Sequence, residues 1–154
     1  MSDADLDIAI PGVIDGMRYT RQGQACTAGS RVYIQEKIYE KVLEGVVDKL
    51  KNLKMGNALD ENSDIGAIIS KEQLNRTLHY MNIAKENSST KVLHGGNQKK
   101  EGDYKDGFFY EPTLLSGVPV ESPVCQEEIF GPVACAIPFK SFDEVLKSAN
   151  NTPF

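Results

Sequence analysis

Residues 133–139 restrict the fold more than any other part of the chain, because the run VACAIPF consists only of apolar residues. A strand with apolar residues at successive positions is buried on both faces, and such strands occur in parallel sheets that helices cover from both sides. The run is short enough for a strand, and Gly131-Pro132 before it and Lys140-Ser141 after it set its ends. This run therefore predicts a parallel sheet inside an α/β fold.

Helices are predicted on either side of this strand by their apolar spacing and by their start signals. One apolar stripe predicts a helix over residues 38–53, and its members are Ile38, Val42, Val46, Leu50 and Leu53. Capping boxes that begin at Ser70 and Ser141 predict two more helices. Pro11, by contrast, predicts an interruption of the helix suggested by residues 4–15. Strands that alternate with helices in this way predict an α/β fold with three layers, an αβα sandwich.

Composition excludes several classes of function. The chain has 154 residues, of which 40% are hydrophobic and 25% charged, and its net charge of −5 is spread along the sequence. No basic stripe suggests nucleic-acid binding, no apolar run approaches the roughly 18 residues of a membrane span, and residues 1–5 do not form a signal peptide. Three cysteines without a Cys-x-x-Cys pair, and two histidines without ligand spacing, argue against a disulfide framework and a metal site. We expect a protein of the cytoplasm or of another reducing compartment.

Residues 23–31, GQACTAGSR, place one cysteine among small residues and glycines. Glycines allow a sharp turn and the close approach of another molecule, so this pattern predicts that the Cys26 thiol is accessible. A thiolate is the strongest nucleophile among the side chains at neutral pH, which suggests attack on a carbonyl carbon. The alternative is that Cys26 is a small buried apolar residue. Arg21 and Arg31 would lower the pKa of Cys26 if they pointed at the thiol, and otherwise would serve in packing and salt bridges.

The motif at residues 23–31 resembles the nucleophile motif of the NAD(P)-dependent aldehyde dehydrogenases. Two further segments extend the resemblance in the order of that family. Glu-Ile-Phe-Gly-Pro at residues 128–132 resembles its cofactor-side motif, and ANNTPF at residues 149–154 resembles the segment that precedes its Gly-Leu. The resemblance implies the αβα sandwich of the aldehyde dehydrogenase catalytic domain. It also implies a small aldehyde as substrate, NAD or NADP as cofactor, and the capacity to form a homo-oligomer.

The same resemblance implies roles for individual residues. Cys26 would attack the aldehyde carbon, the thiohemiacetal would transfer hydride to the nicotinamide, and water would hydrolyse the resulting thioester to a carboxylic acid. The backbone N–H of Cys26 would be one oxyanion donor. Glu128 would accept hydrogen bonds from the nicotinamide ribose hydroxyls, and Phe130 would pack against the ribose and the nicotinamide. In some relatives the glutamine at the position of Gln73 lies near the ribose, but its capping box predicts that it caps its own helix, and it is not among the predicted site residues.

Parts of the aldehyde dehydrogenase pattern are absent from the sequence. There is no glycine-rich phosphate loop, no Glu-Leu-Gly-Gly segment with the family's general base, and no N-terminal portion with its oxyanion asparagine. We therefore expect residues 1–154 to be a single partial catalytic domain, incomplete at both ends, without the cofactor-binding domain and without dehydrogenase turnover on its own. A truncated non-catalytic paralogue that serves binding or assembly is the alternative from a different class. A stand-alone thiol hydrolase would need a base near Cys26, and no histidine lies in a recognisable motif for one.

Overall fold

A four-stranded sheet forms the middle of the molecule. The computed structural model describes residues 1–153, and Phe154, the end of the ANNTPF segment, lies outside them. The strands are β1 (Arg31–Gln35), β2 (Lys91–His94), β3 (Gln98–Lys99), β4 (Phe109–Tyr110), β5 (Thr113–Ser116) and β6 (Val133–Phe139). The main sheet has the order β1-β6-β5-β2, and β3 and β4 pair separately. β6 is parallel to both of its neighbours, whereas β2 is antiparallel to β5, so the run at residues 133–139 is the inner parallel strand that its apolar character predicts.

Helices cover both faces of this sheet. They are α1 (Leu6–Gly16), α2 (Tyr39–Lys51), α3 (Lys71–Glu86), α4 (Pro123–Gln126) and α5 (Phe142–Ala149). The capping boxes at Ser70 and Ser141 begin α3 and α5 as predicted, since each serine hydroxyl accepts a hydrogen bond from the N–H three residues later. Among the described residues, no helix combines the length and the apolar character needed to cross a bilayer.

Neighbouring residues on the inner strands point to opposite faces and join two separate apolar clusters. Leu114 of β5 and Ala134 of β6 pack with α1 and α2, whereas Leu115 and Cys135 pack with α3 and α4. Both leucines are 0% exposed, and complete burial of a leucine side chain stabilises the fold by about 1.5–3 kcal/mol. The two clusters on opposite faces confirm the predicted αβα sandwich.

The N-terminal helix passes through Pro11 without a break, so the predicted interruption is wrong. Asp5 caps this helix by accepting a hydrogen bond from the Asp7 N–H (3.0 Å). Proline lacks the N–H that would bond to the carbonyl four residues earlier, and that carbonyl belongs to the exposed Asp7, where water can replace the missing donor. Beyond the proline, Ile14 and Met17 are buried in the same cluster as α2, and their burial holds the helix together past the missing bond.

Candidate functional site

The candidate site lies where two loops enter adjacent parallel strands. Residues 23–30, named the cysteine turn, lead into β1, and residues 127–131, named the clamped loop, lead into β6. Arg31 of β1 pairs with Cys135 of β6, which places both loops at the amino end of this parallel pair. Two motifs that are far apart in the sequence are therefore neighbours in space.

The cysteine turn presents Cys26 to solvent. The Ala28 N–H donates to the Ala25 carbonyl (2.9 Å), which closes a β-turn with Cys26 at its second position. The Gly29 N–H donates to the Gly16 carbonyl (2.9 Å) and holds the turn against the end of α1. Within residues 1–153, neither the thiol nor the backbone N–H of Cys26 forms a hydrogen bond. The predicted accessible thiol is confirmed, and the alternative of a buried Cys26 is wrong.

Two side chains tie the cysteine turn and the segment before it to the body of the protein. Tyr19 is 1% exposed, and its hydroxyl donates to the Thr113 carbonyl of β5 (2.9 Å). Burial raises the pKa of Tyr19 far above its ordinary value, because the phenolate would lose its hydration. The Gln24 side-chain oxygen accepts a hydrogen bond from the Ile69 N–H (3.0 Å). The turn and the segment before it are thus anchored to two other segments, at Thr113 and at Ile69, while the cysteine side chain stays exposed.

Two glycines bring the cysteine turn and the clamped loop into direct backbone contact. Gly23 has a φ of +63°, and a Cβ at this position would overlap the carbonyl oxygen of Gly131. A Cβ at Gly131 would in turn overlap the hydroxyl of Thr77 on α3. The two loops and α3 are stacked with no room for an added side-chain atom, so glycine is required at both positions.

Three consecutive carbonyl groups of the clamped loop accept hydrogen bonds from side chains of α3. The Gln73 amide donates to the carbonyls of Ile129 (2.8 Å) and Phe130 (2.7 Å). The Arg76 guanidinium donates to the Glu128 carbonyl through both Nε (3.0 Å) and Nη2. Hydrogen bonds of this kind contribute roughly 0.5–1.5 kcal/mol each, and more when the donor is charged. The helix therefore holds the backbone of the loop, while Ile129 packs in the core and Glu128 stays exposed.

The interpretation of Gln73 as a helix cap alone is wrong. Its backbone N–H does donate to the Ser70 hydroxyl (3.2 Å), but its side chain turns to the clamped loop. Sequence analysis also missed Arg76, Thr77 and Tyr80, which share one face of α3 with Gln73 because they follow it by three, four and seven residues. The available signal was this row of polar groups on a helix face that also carries core residues.

Tyr80 extends the contact between α3 and the clamped loop. Its hydroxyl donates to the Glu127 carboxylate (2.6 Å), and the Arg76 guanidinium lies 5.4 Å from its ring centroid. Burial and the hydrogen bond to Glu127 raise the pKa of Tyr80, because a phenolate would face the carboxylate. The folded protein therefore favours the neutral form of Tyr80.

The predicted site residues meet along adjoining clefts. Cys26 and Glu128 line a cavity of about 160 Å³, and Glu128 and Phe130 line a neighbouring cavity of about 40 Å³. Ala28 of the cysteine turn lines both cavities. The Glu128 side chain is exposed, and Phe130 adopts the left-handed conformation (φ 55°), which is uncommon for a residue other than glycine. All three predicted residues thus lie on the same side of the molecule.

Arg31 packs against α5, and within residues 1–153 it forms no salt bridge, which was one of its expected roles. Its guanidinium donates to the carbonyls of Ser148 (3.5 Å) and Ala149 (3.3 Å) at the end of α5, where a cation is favourable. It also lies 5.7 Å from the centroid of the Tyr33 ring. Arg31 nevertheless lines the same cavity as Cys26, so a positive charge borders the cleft.

Comparison with known proteins identifies the family of the chain. The family model for the aldehyde dehydrogenase family matches residues 1–154. The chain is 39% identical over 153 residues to a D-glyceraldehyde dehydrogenase (NADP(+)) of Picrophilus torridus, with 99% of this chain and 30% of that protein covered. It is 37% identical over 152 residues to a betaine aldehyde dehydrogenase of Mesorhizobium japonicum, with 99% and 31% covered. The NAD+ complex of an aldehyde dehydrogenase from Bacillus cereus superimposes with a TM-score of 0.90 at 37% identity, covering 99% of this chain and 30% of that one.

These matches extend over the whole chain, although they cover only part of the related proteins. The chain spans about 30% of the length of the curated relatives it matches. Sequence motifs, fold and family model agree over the same residues. The chain therefore belongs to the aldehyde dehydrogenase family.

Proposed function

We propose that these residues contribute the nucleophile and a cofactor contact to an enzyme that oxidises a small aldehyde to a carboxylic acid. The observation that carries the proposal is the position of Cys26 and Glu128 along one cavity of about 160 Å³. The proposal assigns full turnover to an assembly that also supplies a general base, since no Glu-Leu-Gly-Gly segment occurs in the 154 residues.

Cys26 performs the first chemical step. Its thiolate attacks the aldehyde carbon, a C–S bond forms, and the carbonyl oxygen takes up the negative charge. The Cys26 N–H, which has no hydrogen-bond partner within residues 1–153, is free to donate to that oxygen. One preorganised oxyanion donor lowers the barrier by roughly 2.7–4 kcal/mol. The anchored backbone of the turn supports this role, because the donor does not have to reorganise during the reaction.

The clamped loop fits a cofactor that contains a ribose. The exposed Glu128 carboxylate has two acceptor oxygens, which suit a pair of neighbouring hydroxyl groups. Phe130 offers an apolar surface next to the cysteine turn. When bound, NAD(P) supplies the acceptor for the hydride that leaves the aldehyde carbon. Since α3 binds the Glu128 backbone and not its carboxylate, the carboxylate remains available to a ligand.

Acyl transfer from p-nitrophenyl acetate to the chain tests the role of Cys26. We expect a burst of p-nitrophenol with one acetyl group located on Cys26 by peptide mass mapping. The matched control is the double variant Cys26→Ala/Thr27→Cys, which moves the thiol by one position to another exposed residue. Acylation of the moved thiol should be at least about tenfold slower, since the N–H at position 26 no longer lies on the residue that reacts. Equal rates would show that exposure alone explains the reactivity and would overturn the proposal.

A further inference from the structure

A second thiol borders the cleft onto which Cys26 opens. Cys125, in α4, is 4% exposed and lines the same cavity of about 160 Å³ as Cys26. Both thiols therefore lie in the wall of one cavity. The proposed reaction makes no use of Cys125.

Cys135 contacts Cys125 from the adjacent strand β6. Cys135 is 1% exposed and packs in the same apolar cluster as Cys125. The neighbouring Cys135 thiol lowers the pKa of Cys125, and the Arg31 charge acts in the same direction while burial opposes it. Cys125 lines the cleft, whereas Cys135 does not.

We propose that Cys125 is a resolving thiol, which forms a reversible disulfide with Cys26 after a hydroperoxide has oxidised Cys26. The exposed thiol and the second thiol in the wall of the same cavity carry this inference. It rests on the proposed function only in taking Cys26 as the reactive cysteine. Its consequence is protection of the nucleophile, since a sulfenic acid without a partner thiol is oxidised further to an irreversible sulfinic acid.

The reaction has two balanced steps. In the first, the Cys26 thiolate attacks hydrogen peroxide, an S–O bond forms, the O–O bond breaks, and after protonation one water leaves. In the second, the Cys125 sulfur attacks the Cys26 sulfur, the S–S bond forms, the S–O bond breaks, and a second water leaves. In total the two thiols lose two electrons and two protons, and one peroxide is reduced to two waters. A thiol reductant reverses the disulfide by exchange.

Disulfide mapping of the folded chain after hydrogen peroxide treatment tests the inference. Free thiols are blocked with N-ethylmaleimide before digestion with trypsin and then with an endoproteinase that cleaves after glutamate. Trypsin places Cys26 in the peptide 22–31 but leaves Cys125 and Cys135 together in the peptide 106–140. Cleavage after Glu127 and Glu128 separates those two cysteines, so each possible disulfide gives a distinct product.

We expect a cross-link between peptide 22–31 and the Cys125 fragment, and its removal by dithiothreitol. In Cys125→Ser the cross-link should be absent and sulfinic acid should accumulate on Cys26 about fivefold faster. In Cys26→Ala, a change at an exposed position that leaves the buried packing intact, Cys125 should stay reduced. In Cys135→Ala the same cross-link should still form, because Cys135 does not line the cleft.

Two results would overturn the inference. One is equal formation of sulfinic acid on Cys26 in the wild type and in Cys125→Ser. The other is a product that joins only Cys125 to Cys135. Selective acylation of Cys26 together with either result would leave the proposed function standing and remove only the resolving thiol. A cross-link without selective acylation would support the resolving thiol and contradict the proposed function.

Discussion

The cysteine turn and the clamped loop are held by different means. The cysteine turn is anchored through backbone bonds and through Tyr19 and Gln24, and its central side chain forms no hydrogen bond within the described residues. The clamped loop has three consecutive carbonyls bound by side chains of one helix. The first arrangement leaves a thiol exposed, and the second fixes the backbone of a loop.

The two loops of the candidate site are therefore held rigid through different groups. A nucleophile needs access and an unpaired donor nearby, which a short turn with a free N–H provides. A binding loop needs a fixed backbone, which distant side chains provide at little cost to the groups that face the ligand. The two parts meet at the contact between Gly23 and Gly131, so their relative position depends on one backbone approach. The predictions below test each part and the contact between them.

Gly23→Ala should have the largest effect, because it breaks the contact that joins the two loops. The substitution adds a Cβ in a left-handed conformation and places it against the Gly131 carbonyl oxygen. Backbone strain of about 1–2 kcal/mol and overpacking of about 1–3 kcal/mol predict a loss of about 4 kcal/mol in the free energy of unfolding. Urea denaturation measures this loss.

The matched control for that change is Gly12→Ala in α1, where an added Cβ meets nothing within 4 Å. We expect unchanged stability or a gain of up to about 1 kcal/mol, since alanine favours the helix more than glycine does. Similar losses for the two substitutions would contradict the close approach of the loops.

Gln73→Glu separates the two interpretations of Gln73. A carboxylate suits the first turn of a helix and completes a capping box, so a capping role predicts equal or greater stability. A carboxylate cannot donate to the carbonyls of Ile129 and Phe130. If the Gln73 side chain holds the clamped loop, the free energy of unfolding should therefore fall by about 2 kcal/mol. Chemical denaturation at neutral pH measures the change, and Glu72→Gln at the neighbouring exposed position serves as the control.

Acidification should partly reverse the effect of Gln73→Glu. Two carbonyl oxygens next to the introduced carboxyl favour its protonated form and raise its pKa. A protonated carboxyl can donate one of the two lost hydrogen bonds, so the difference from the wild type should shrink as the pH falls. A difference that stays constant with pH would count against the clamp.

Local patterns in the sequence predicted β6, the helices α2, α3 and α5, and the accessibility of Cys26, but not the contacts between distant segments. The run at residues 133–139 predicted an inner strand because a strand buried on both faces needs apolar residues at successive positions. The stripe at residues 38–53 predicted a helix because a helix buried on one face needs apolar residues at helical spacing. The accessible Cys26 followed from the small residues beside it. The prediction at Pro11 was wrong because burial of Ile14 and Met17 outweighs the cost of one missing hydrogen bond. No rule based on local sequence includes that burial.

The hydrogen bonds between α3 and the clamped loop show most directly what local sequence patterns cannot predict. A glutamine at the third position of a helix has a complete local explanation as part of a capping box. Its actual partners lie more than fifty positions away and become neighbours only when α3 packs beside β6. A side chain with one satisfied local role can therefore carry a second role that only the tertiary structure shows.

The anchor of the cysteine turn should respond to alkaline pH through Tyr19. Its pKa is raised in the folded state by burial, whereas the unfolded chain ionises near pH 10, so the unfolded state loses its proton first. Stability is therefore complete below about pH 10 and falls above it, by about 1.4 kcal/mol per pH unit for one such group. Tyr19→Phe should start about 1 kcal/mol less stable and remove this part of the slope, as measured by urea denaturation between about pH 9 and about pH 11. Parallel slopes for Tyr19→Phe and the wild type would exclude Tyr19 as the group responsible.

Arg76→Lys should have the smallest effect and the most local one. Lysine keeps the charge but replaces the planar fork with a single ammonium group, so the paired donation to the Glu128 carbonyl is lost. Because Arg76 is exposed and water can replace one donor, we expect a loss of only about 0.5 kcal/mol in the free energy of unfolding. Hydrogen exchange should nevertheless become faster at the amides of residues 127–131 and stay unchanged at residues 23–30, whereas Lys71→Arg at the start of α3 should change neither. Faster exchange in both segments would mean that α3 supports the cysteine turn and the clamped loop as one unit, and the division between an anchored turn and a clamped loop would then have to be abandoned.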